Sequence, residues 1–156
     1  MKQVLYFPLF VLIACIIAAG FGIIHDIFTH CISPEYYTKF KFIQFGFIEE
    51  FEEDVLVDNR LTYVALTGII ATWWTGLIGG PIIALVNLLI NKTQHFFSSG
   101  IKALLIGISC SAIAGLVGLL LGYTYFGPAV LKDQIAWNLP NNVVHQVDYI
   151  AVGGRR

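Results

Sequence analysis

The sequence predicts an all-α protein: a polytopic transmembrane bundle of three spans that forms one membrane domain over residues 1–156. The chain is 57% hydrophobic and only 12% charged, with a mean hydropathy of +0.76, whereas a soluble domain carries about 25% charged residues. The charges are also segregated, since no Asp, Glu, Lys or Arg occurs in residues 3–25, 61–91 or 103–131. Each stretch exceeds the ~20 apolar residues that cross a bilayer as a helix.

The first predicted span covers about residues 4–28 and leads into an extramembrane loop over residues 31–60. The early loop reads KFKFIQFGF, which alternates like a strand hairpin and also carries the aromatic stripe of an interfacial amphipathic helix. Both interpretations stay open at this stage. The acidic run at residues 49–54 is typical of a solvated face, and a weak cation-binding patch is the alternative.

The second predicted span, residues 61–90, is longer than a bilayer requires. About thirty residues at ~1.5 Å of rise each make a helix of about 45 Å, against a hydrocarbon core of about 30 Å. The span must therefore tilt, protrude or break. The expected break is GLIGGP at residues 76–81, because proline removes a helix hydrogen bond and glycine tolerates a bend.

The third predicted span covers about residues 101–126, and a tail over residues 129–156 follows it. We expect Gly127-Pro128 to end this helix, because proline cannot continue a helix at that point. The tail is mixed in composition and contains no complete span, so it is predicted not to cross the membrane.

Small residues recur at helix-contact spacing in all three spans. Small residues four apart let helices approach closely in lipid. We therefore predict a compact bundle that also accommodates helices from partner chains. The predicted packing positions are Gly22, Gly76, Gly80, Gly107, Ser111, Gly115, Gly118 and Gly122.

The charge distribution bears on how the protein is oriented in the membrane. Three spans place the loop and the tail on the same side of the membrane, and every acidic residue lies on that side. The charged residues on the other side are Lys2, Lys92 and Lys102. A plain count of Lys and Arg residues places the loop side in the cytoplasm. A count that gives more weight to short loops, together with an N-terminal stretch that resembles a signal peptide, places the N-terminus there instead. We predict an N-terminus in the cytoplasm.

The polar end of the first span is the most informative stretch for function. Residues four apart share a helix face, so the small residues Ala18 and Gly22 lead directly to Asp26 and His30. These two side chains should face the bundle interior and lie within hydrogen-bonding distance of each other. Such a pair fixes a histidine tautomer and raises its basicity. His25 should point about 100° away from Asp26.

The tail motif HQVDY adds further polar groups on the same side of the membrane. His, Asp and Glu side chains together suit zinc, iron or manganese. A buried carboxylate also needs a donor, cation or metal beside it, so we expect Asp26 and one histidine within a few ångströms of Glu35 or the tail. The candidate metal ligands are His25, Asp26, His30, Glu35, His145 and Asp148.

Two other interpretations of these residues remain open. Polar residues at the end of a span also anchor it among the headgroups and cap the helix, and they can form a docking surface for a lipid or a partner. The ligand spacing is far less specific than a HExxH or paired CxxC motif.

Three stretches resemble a family of small, uncharacterised bacterial inner-membrane proteins. They are HDIFTHCISPEYYT at residues 25–38, ATWWTGLIGGP at residues 71–81 and HQVDYIAVGG at residues 145–154. The resemblance implies an inner-membrane location and a similar topology, and it brings no known activity. The relatives continue into a further hydrophobic span after the last stretch, where this chain has Arg155-Arg156.

These observations lead to two expectations about function. The first is a small structural or accessory subunit of a membrane assembly, in contact with lipid and with other membrane-protein chains. The alternative is a membrane-embedded metal-binding or proton-handling site in an enzyme or transporter. No strong catalytic motif favours an enzyme, and no basic patch favours a nucleic-acid partner.

Overall fold

The structure is a computed structural model that describes residues 2–48, 59–91, 95–132, 139 and 143–153. Every regular element among these residues is helical. The α-helices are α1 (Lys2–Ile32), α2 (Pro34–Tyr36), α3 (Phe42–Gln44), α4 (Arg60–Asn91), α5 (Phe96–Leu121), α6 (Gly127–Leu131) and α7 (Gln146–Ala151). Two π-helical turns, Tyr37–Lys41 and Gly122–Phe126, join α2 to α3 and α5 to α6.

Three helical stretches are long and apolar enough to cross a membrane: Tyr6–Ile32, Arg60–Ile90 and Phe96–Leu131. The predicted all-α, three-span architecture is therefore confirmed, and the protein is a multi-pass membrane protein. The observed helices extend beyond the predicted ends of each span.

Helix α4 runs through the GLIGGP stretch without interruption. Of the three alternatives of tilt, protrusion and a break, the break at residues 76–81 does not occur. Proline is tolerated inside transmembrane helices because neighbouring groups and small local adjustments satisfy the freed backbone carbonyl. The excess length of α4 must be accommodated by tilt or by protrusion from the hydrocarbon core.

The third span does not end at Gly127-Pro128 as the sequence suggests. The π-helical turn Gly122–Phe126 comes immediately before the proline, and the Gly127 N–H donates to the carbonyl of Gly122. Pro128 then occupies the first turn of α6, where its missing N–H is not required. Helical structure therefore continues to Leu131.

Helices α1 and α4 form a close antiparallel pair. Gly22 faces Gly68, and Ala14 faces Gly76 two turns away. A Cβ atom added to Gly76 would lie 2.5 Å from the carbonyl oxygen of Ala14 and from Cα of Cys15. Between these positions, the Thr72 hydroxyl donates to the carbonyl of Ala18 at 2.9 Å. The small residues of α1 and α4 thus let the two backbones touch, as helices in lipid require.

The third span packs on this pair at its start and on α7 near its other end. At one end Phe96 packs with Phe10 and Ala84 in an apolar cluster, and the Asn87 amide donates to the carbonyl of Phe96 at 3.1 Å. At the other end Gly122 lies against Ala151 of α7. No residue between Ile101 and Leu121 is buried.

The predicted packing positions of α5 are consequently not packed against any residue that the structure describes. A Cβ atom added to Gly107, Gly115 or Gly118 would have no neighbour within 4 Å, and Ser111 is exposed. The bundle is compact between α1 and α4 and open along α5. This differs from the uniformly compact bundle that the sequence suggests.

Residues 34–44 are helical and residues 45–48 form a turn, so the hairpin interpretation is wrong for the described start of the loop. Tyr37, Phe42 and Ile48 pack with Val64 of α4 in an apolar cluster. This cluster folds the loop back over the end of the α1–α4 pair. The acidic run at residues 49–54 lies outside the described residues.

Candidate functional site

Asp26 is the centre of a polar cluster at the loop-side end of α1. It continues the face that carries Ala14, Ala18 and Gly22, and only 2% of its surface is exposed. The Lys41 amine lies 3.3 Å from one carboxylate oxygen and 3.5 Å from the other. The expected need of this carboxylate for a nearby cation is therefore met by Lys41, which sequence reasoning did not identify.

The chain reversal after α1 brings Lys41 to this position. Ser33 caps the next helical turn by accepting from the Tyr36 N–H, and Pro34 begins that turn. The π-helical turn that follows places the Lys41 amine 5.8 Å from the centroids of both the Tyr36 and Tyr37 rings. Such cation–π contacts add to the attraction of Asp26.

His25, rather than His30, contacts the Asp26 carboxylate. His25 Nδ1 lies 3.2 Å from Asp26 Oδ1, and the carboxylate paired with Lys41 can only accept, so we place the imidazole proton on Nδ1. His25 Nε2 is then an acceptor, and it has no hydrogen-bond partner in the described part of the chain. The histidine side chain is 46% exposed.

The predicted Asp26–His30 hydrogen bond is not found among the described contacts. The His30 ring packs edge-to-face on Tyr37, with 5.3 Å between the centroids, and its buried Nε2 has no hydrogen-bond partner in the described part of the chain. Neighbouring side chains on a helix normally diverge, and the helical geometry alone therefore disfavoured the His25 contact. The rotation of the His25 ring toward the adjacent carboxylate is not visible in the spacing.

Tyr37 closes the inner side of the cluster. Its hydroxyl is hydrogen-bonded to the Thr29 hydroxyl. Burial raises the pKa of Tyr37; the Thr29 hydrogen bond opposes this shift, and the Asp26 charge adds to it. Burial, with a contribution from Asp26, likewise raises the pKa of Tyr36 to about 12. Both phenols are therefore neutral at physiological pH.

Glu35 fastens the tail to the loop. Its carboxylate accepts from the backbone N–H of Val144 at 3.0 Å and of His145 at 2.8 Å, and from the Lys39 amine at 3.1 Å. Burial alone would raise the pKa of Glu35, but the two backbone donors and Lys39 outweigh it and lower the pKa from its ordinary value.

Two further contacts fix α7 against the rest of the protein. The Tyr123 hydroxyl donates to Asp148 at 2.7 Å, and the buried Tyr149 ring packs edge-to-face on Tyr36 at 5.9 Å. Burial is the main cause that raises the pKa of Tyr149 to about 12. The tail thus docks at the loop-side end of the bundle, where three spans place it.

The six predicted metal ligands do not form one site. His25 and Asp26 lie together, but Glu35 binds the tail backbone, Asp148 binds Tyr123, and the His145 side chain is exposed. No three His, Cys, Asp or Glu side chains in the described ranges are arranged to hold a metal ion.

The expected contact of Asp26 and a histidine with Glu35 or the tail is not seen, because no described hydrogen bond or ion pair joins Asp26, His25 or His30 to either of them. Glu35 binds the tail itself, a contact that the sequence did not predict. The rings of Tyr36 and Tyr37 separate the Asp26 cluster from the Glu35 contact.

A cleft of about 600 Å³ opens beside this cluster, between α1 and α5 and beneath α7. Ile24 and Phe28 of α1 form one wall, and Gly115 and Leu119 of α5 form the other. His25 lies at the edge of the cleft, so the Asp26 cluster and the cleft share one side chain.

No family model, curated protein or solved structure matches this chain. The resemblance to small bacterial inner-membrane proteins accordingly stays a prediction, and function is argued below from the geometry alone.

Proposed function

We propose that this protein is a small accessory subunit of a membrane assembly. In this proposal the third span presents a docking face to a transmembrane helix of another chain. The observation that carries the proposal is the complete lack of buried residues between Ile101 and Leu121, in a helix that has small residues at contact spacing.

The α1–α4 pair shows how this chain uses such residues. Gly22, Gly68 and Gly76 are all buried where α1 and α4 touch. Gly107 and Ser111 of α5 have the same four-residue spacing, yet Gly107 has open space where a Cβ would stand and Ser111 is exposed. We call these two positions the open face of α5.

The open face is chemically suited to a close helix contact. The Ser111 hydroxyl donates to the carbonyl of Gly107 at 3.0 Å, so its polar group is already satisfied. Helix association in lipid depends on close van der Waals packing, which small residues permit. The partner that fits is an apolar transmembrane helix with small residues of its own at the contact.

The His25–Asp26–Lys41 cluster and the Glu35 contact have a supporting role in this proposal. They hold the loop and the tail against the end of α1, and the tail in turn holds the far end of the third span through Gly122 and Tyr123. The open face is thereby presented at a fixed angle to the α1–α4 pair.

The test uses two matched substitutions on α5. Ser111→Leu fills the open face, whereas Ser109→Leu makes the same change about 200° around the helix; both serines are exposed and bond their own helix backbone. Size measurement after mild-detergent extraction should show a complex for the native protein and for Ser109→Leu, and a smaller particle for Ser111→Leu. A native protein that is always a lone monomer would contradict the proposal.

Oxidative cross-linking distinguishes a second copy from a different partner. Cys110 is exposed beside the open face, and Cys15 and Cys31 can be replaced by serine. A covalent dimer of this chain formed in membranes through Cys110 would identify the partner as a second copy. A complex of stable size without that dimer would identify a different chain.

A further inference from the structure

The cleft between α1 and α5 has the size of a ligand site. Its volume of about 600 Å³ falls within the roughly 300–1,000 Å³ of small-molecule pockets. The walls belong to helical segments that span the membrane, so the medium around the cleft is hydrocarbon. The backbone of α7 at Ala151 and Val152 closes its loop-side end.

The walls of the cleft are apolar except at one point. Among the described residues that line it, His25 is the one ionisable side chain, and the Thr29 hydroxyl is already bonded to backbone carbonyls and to Tyr37. The remaining lining side chains are hydrocarbon or absent, and they include Phe21, Ile24, Phe28, Leu116, Leu119 and Ile150. His25 is therefore the lining side chain, among the described residues, that has a polar atom without a hydrogen-bond partner.

The volume excludes a partner helix as the occupant. A helix about 10 Å in diameter that filled roughly 600 Å³ would be only ~8 Å long, which is little more than one turn. A hydrocarbon chain is thinner and flexible, and it can enter a cleft of this size from the side of the bundle. The open face at Gly107 and Ser111 does not line the cleft, so the two surfaces are separate.

The Asp26–Lys41 pair decides which head group suits His25. Because the Asp26 carboxylate accepts from Nδ1 and from Lys41, the imidazole presents Nε2 as an acceptor. An acceptor without a partner at the edge of an apolar cleft is satisfied by a hydroxyl donor. Asp26 and Lys41 are positioning residues in this arrangement, since neither lines the cleft.

We propose that this cleft binds the hydrocarbon chain of a neutral, hydroxyl-bearing amphiphile, such as a long-chain alcohol or an acylglycerol, whose hydroxyl donates to His25 Nε2. This inference goes beyond the accessory role proposed above and does not depend on it. The occupant of the open face is a helix, and the occupant of the cleft is a lipid chain.

The experiment uses the purified full-length protein in detergent and a long-chain alcohol with a photoactivatable group in its chain. Labelling should saturate and map to α1 around Ile24 and Phe28 and to α5 around Leu119. Unlabelled hexadecanol should compete about fivefold better than its methyl ether, because a neutral hydrogen bond is worth about that factor. If an acylglycerol competes as well as hexadecanol does, the protein recognises the hydroxyl group and not one particular class of lipid.

Two variants test separately the apolar walls that bind the hydrocarbon chain and the His25 side chain that binds the hydroxyl. Ala112→Leu narrows the cleft and should abolish saturable labelling, whereas His25→Phe should keep the labelling and reduce the alcohol-to-ether ratio to about one. Ser109→Leu, outside the cleft, should behave as the native protein does. The proposal is overturned if labelling never saturates, if Ala112→Leu labels normally, or if His25→Phe keeps the preference for the alcohol. Complex size measured in parallel tests the open face separately.

Discussion

A buried carboxylate at the end of a transmembrane helix costs several kcal/mol of desolvation unless a cation compensates it. Asp26 has that cation in Lys41, whose side chain is itself only 15% exposed. Removing one member of such a pair is far more destabilising than replacing both, because the remaining charge is left uncompensated.

We expect Lys41→Met to lower the free energy of unfolding by about 3–5 kcal/mol, the cost of breaking a buried pair. The double variant Asp26→Asn with Lys41→Met should be more stable than Lys41→Met alone, because no buried charge remains. The free energy of unfolding of each variant is measured by titrating the protein in mixed micelles with a denaturing detergent. Strictly additive effects of the two substitutions would show that the pair does not interact.

The residues of this cluster show where sequence reasoning fails at the residue scale. The helical spacing correctly turned Asp26 toward the interior, because Ala14, Ala18 and Gly22 share its face. Its partners were missed because Lys41 lies fifteen residues away and reaches Asp26 only through the chain reversal at Ser33-Pro34. Helical periodicity carries no information about such a contact.

At the scale of elements, one carboxylate, that of Glu35, binds the segment that leads into the tail helix. Glu35 accepts from two backbone N–H groups of the tail only when it is ionised, and those donors, with Lys39, hold its pKa below the ordinary value of 4.5. Because the pKa of Glu35 is lower in the folded protein than in the unfolded chain, its contribution to docking is fully present at pH values above the unfolded-state pKa. The contribution is lost as the pH falls through the lower pKa of the folded state.

We therefore predict that the Val144–His145 segment loosens on acidification below pH 4.5, the ordinary pKa of the Glu35 carboxyl. Hydrogen exchange of the peptide that contains Val144 and His145 should lose protection in that range, after correction for the intrinsic rate. Glu35→Gln should reduce protection at neutral pH and remove the acid transition. Protection that is unchanged by acid in the native protein would contradict the assigned role of Glu35.

The α1–α4 contact permits a test with two glycines of the same helix. Gly76→Ala should destabilise the protein by about 1–3 kcal/mol, since its Cβ would stand 2.5 Å from the backbone of α1. Gly79→Ala meets nothing within 4 Å and should be neutral or stabilising by up to about 1 kcal/mol, because alanine favours helix. Equal stabilities of the two variants, in the same micelle unfolding assay, would contradict the observed register.

The elements themselves were largely predictable, and their ends were not. Charge-free stretches are enough to locate three spans, because hydrocarbon admits few ionised side chains. Pro128 was expected to end its helix, and Pro81 lay at the weak point of the second span. The π-helical turn at Gly122–Phe126 instead leads into Pro128, and α4 runs through Pro81. Local hydrogen-bond rearrangement of this kind has no clear sequence signal.

At the scale of the whole molecule, two spans form a tight pair and the third stands apart from them along most of its length. Its two ends are fixed, at Phe96 by the apolar cluster with Phe10 and at Gly122 by α7. The space between these attachments holds the cleft, and the open face lies on another side of the same helix. Sequence spacing predicted that Gly107 and Ser111 are contact residues, but spacing alone does not distinguish a contact within the chain from one with another chain.

The central claim is that the open face of α5 contacts a helix of another chain, and photo-cross-linking in native membranes tests it most directly. A photoactivatable amino acid is placed at Ser111 in one variant and at Ser109 in a second. We predict a discrete protein adduct from position 111 and only lipid adducts from position 109. Lipid adducts alone from both positions would show that the face is bare in the membrane and would contradict the account.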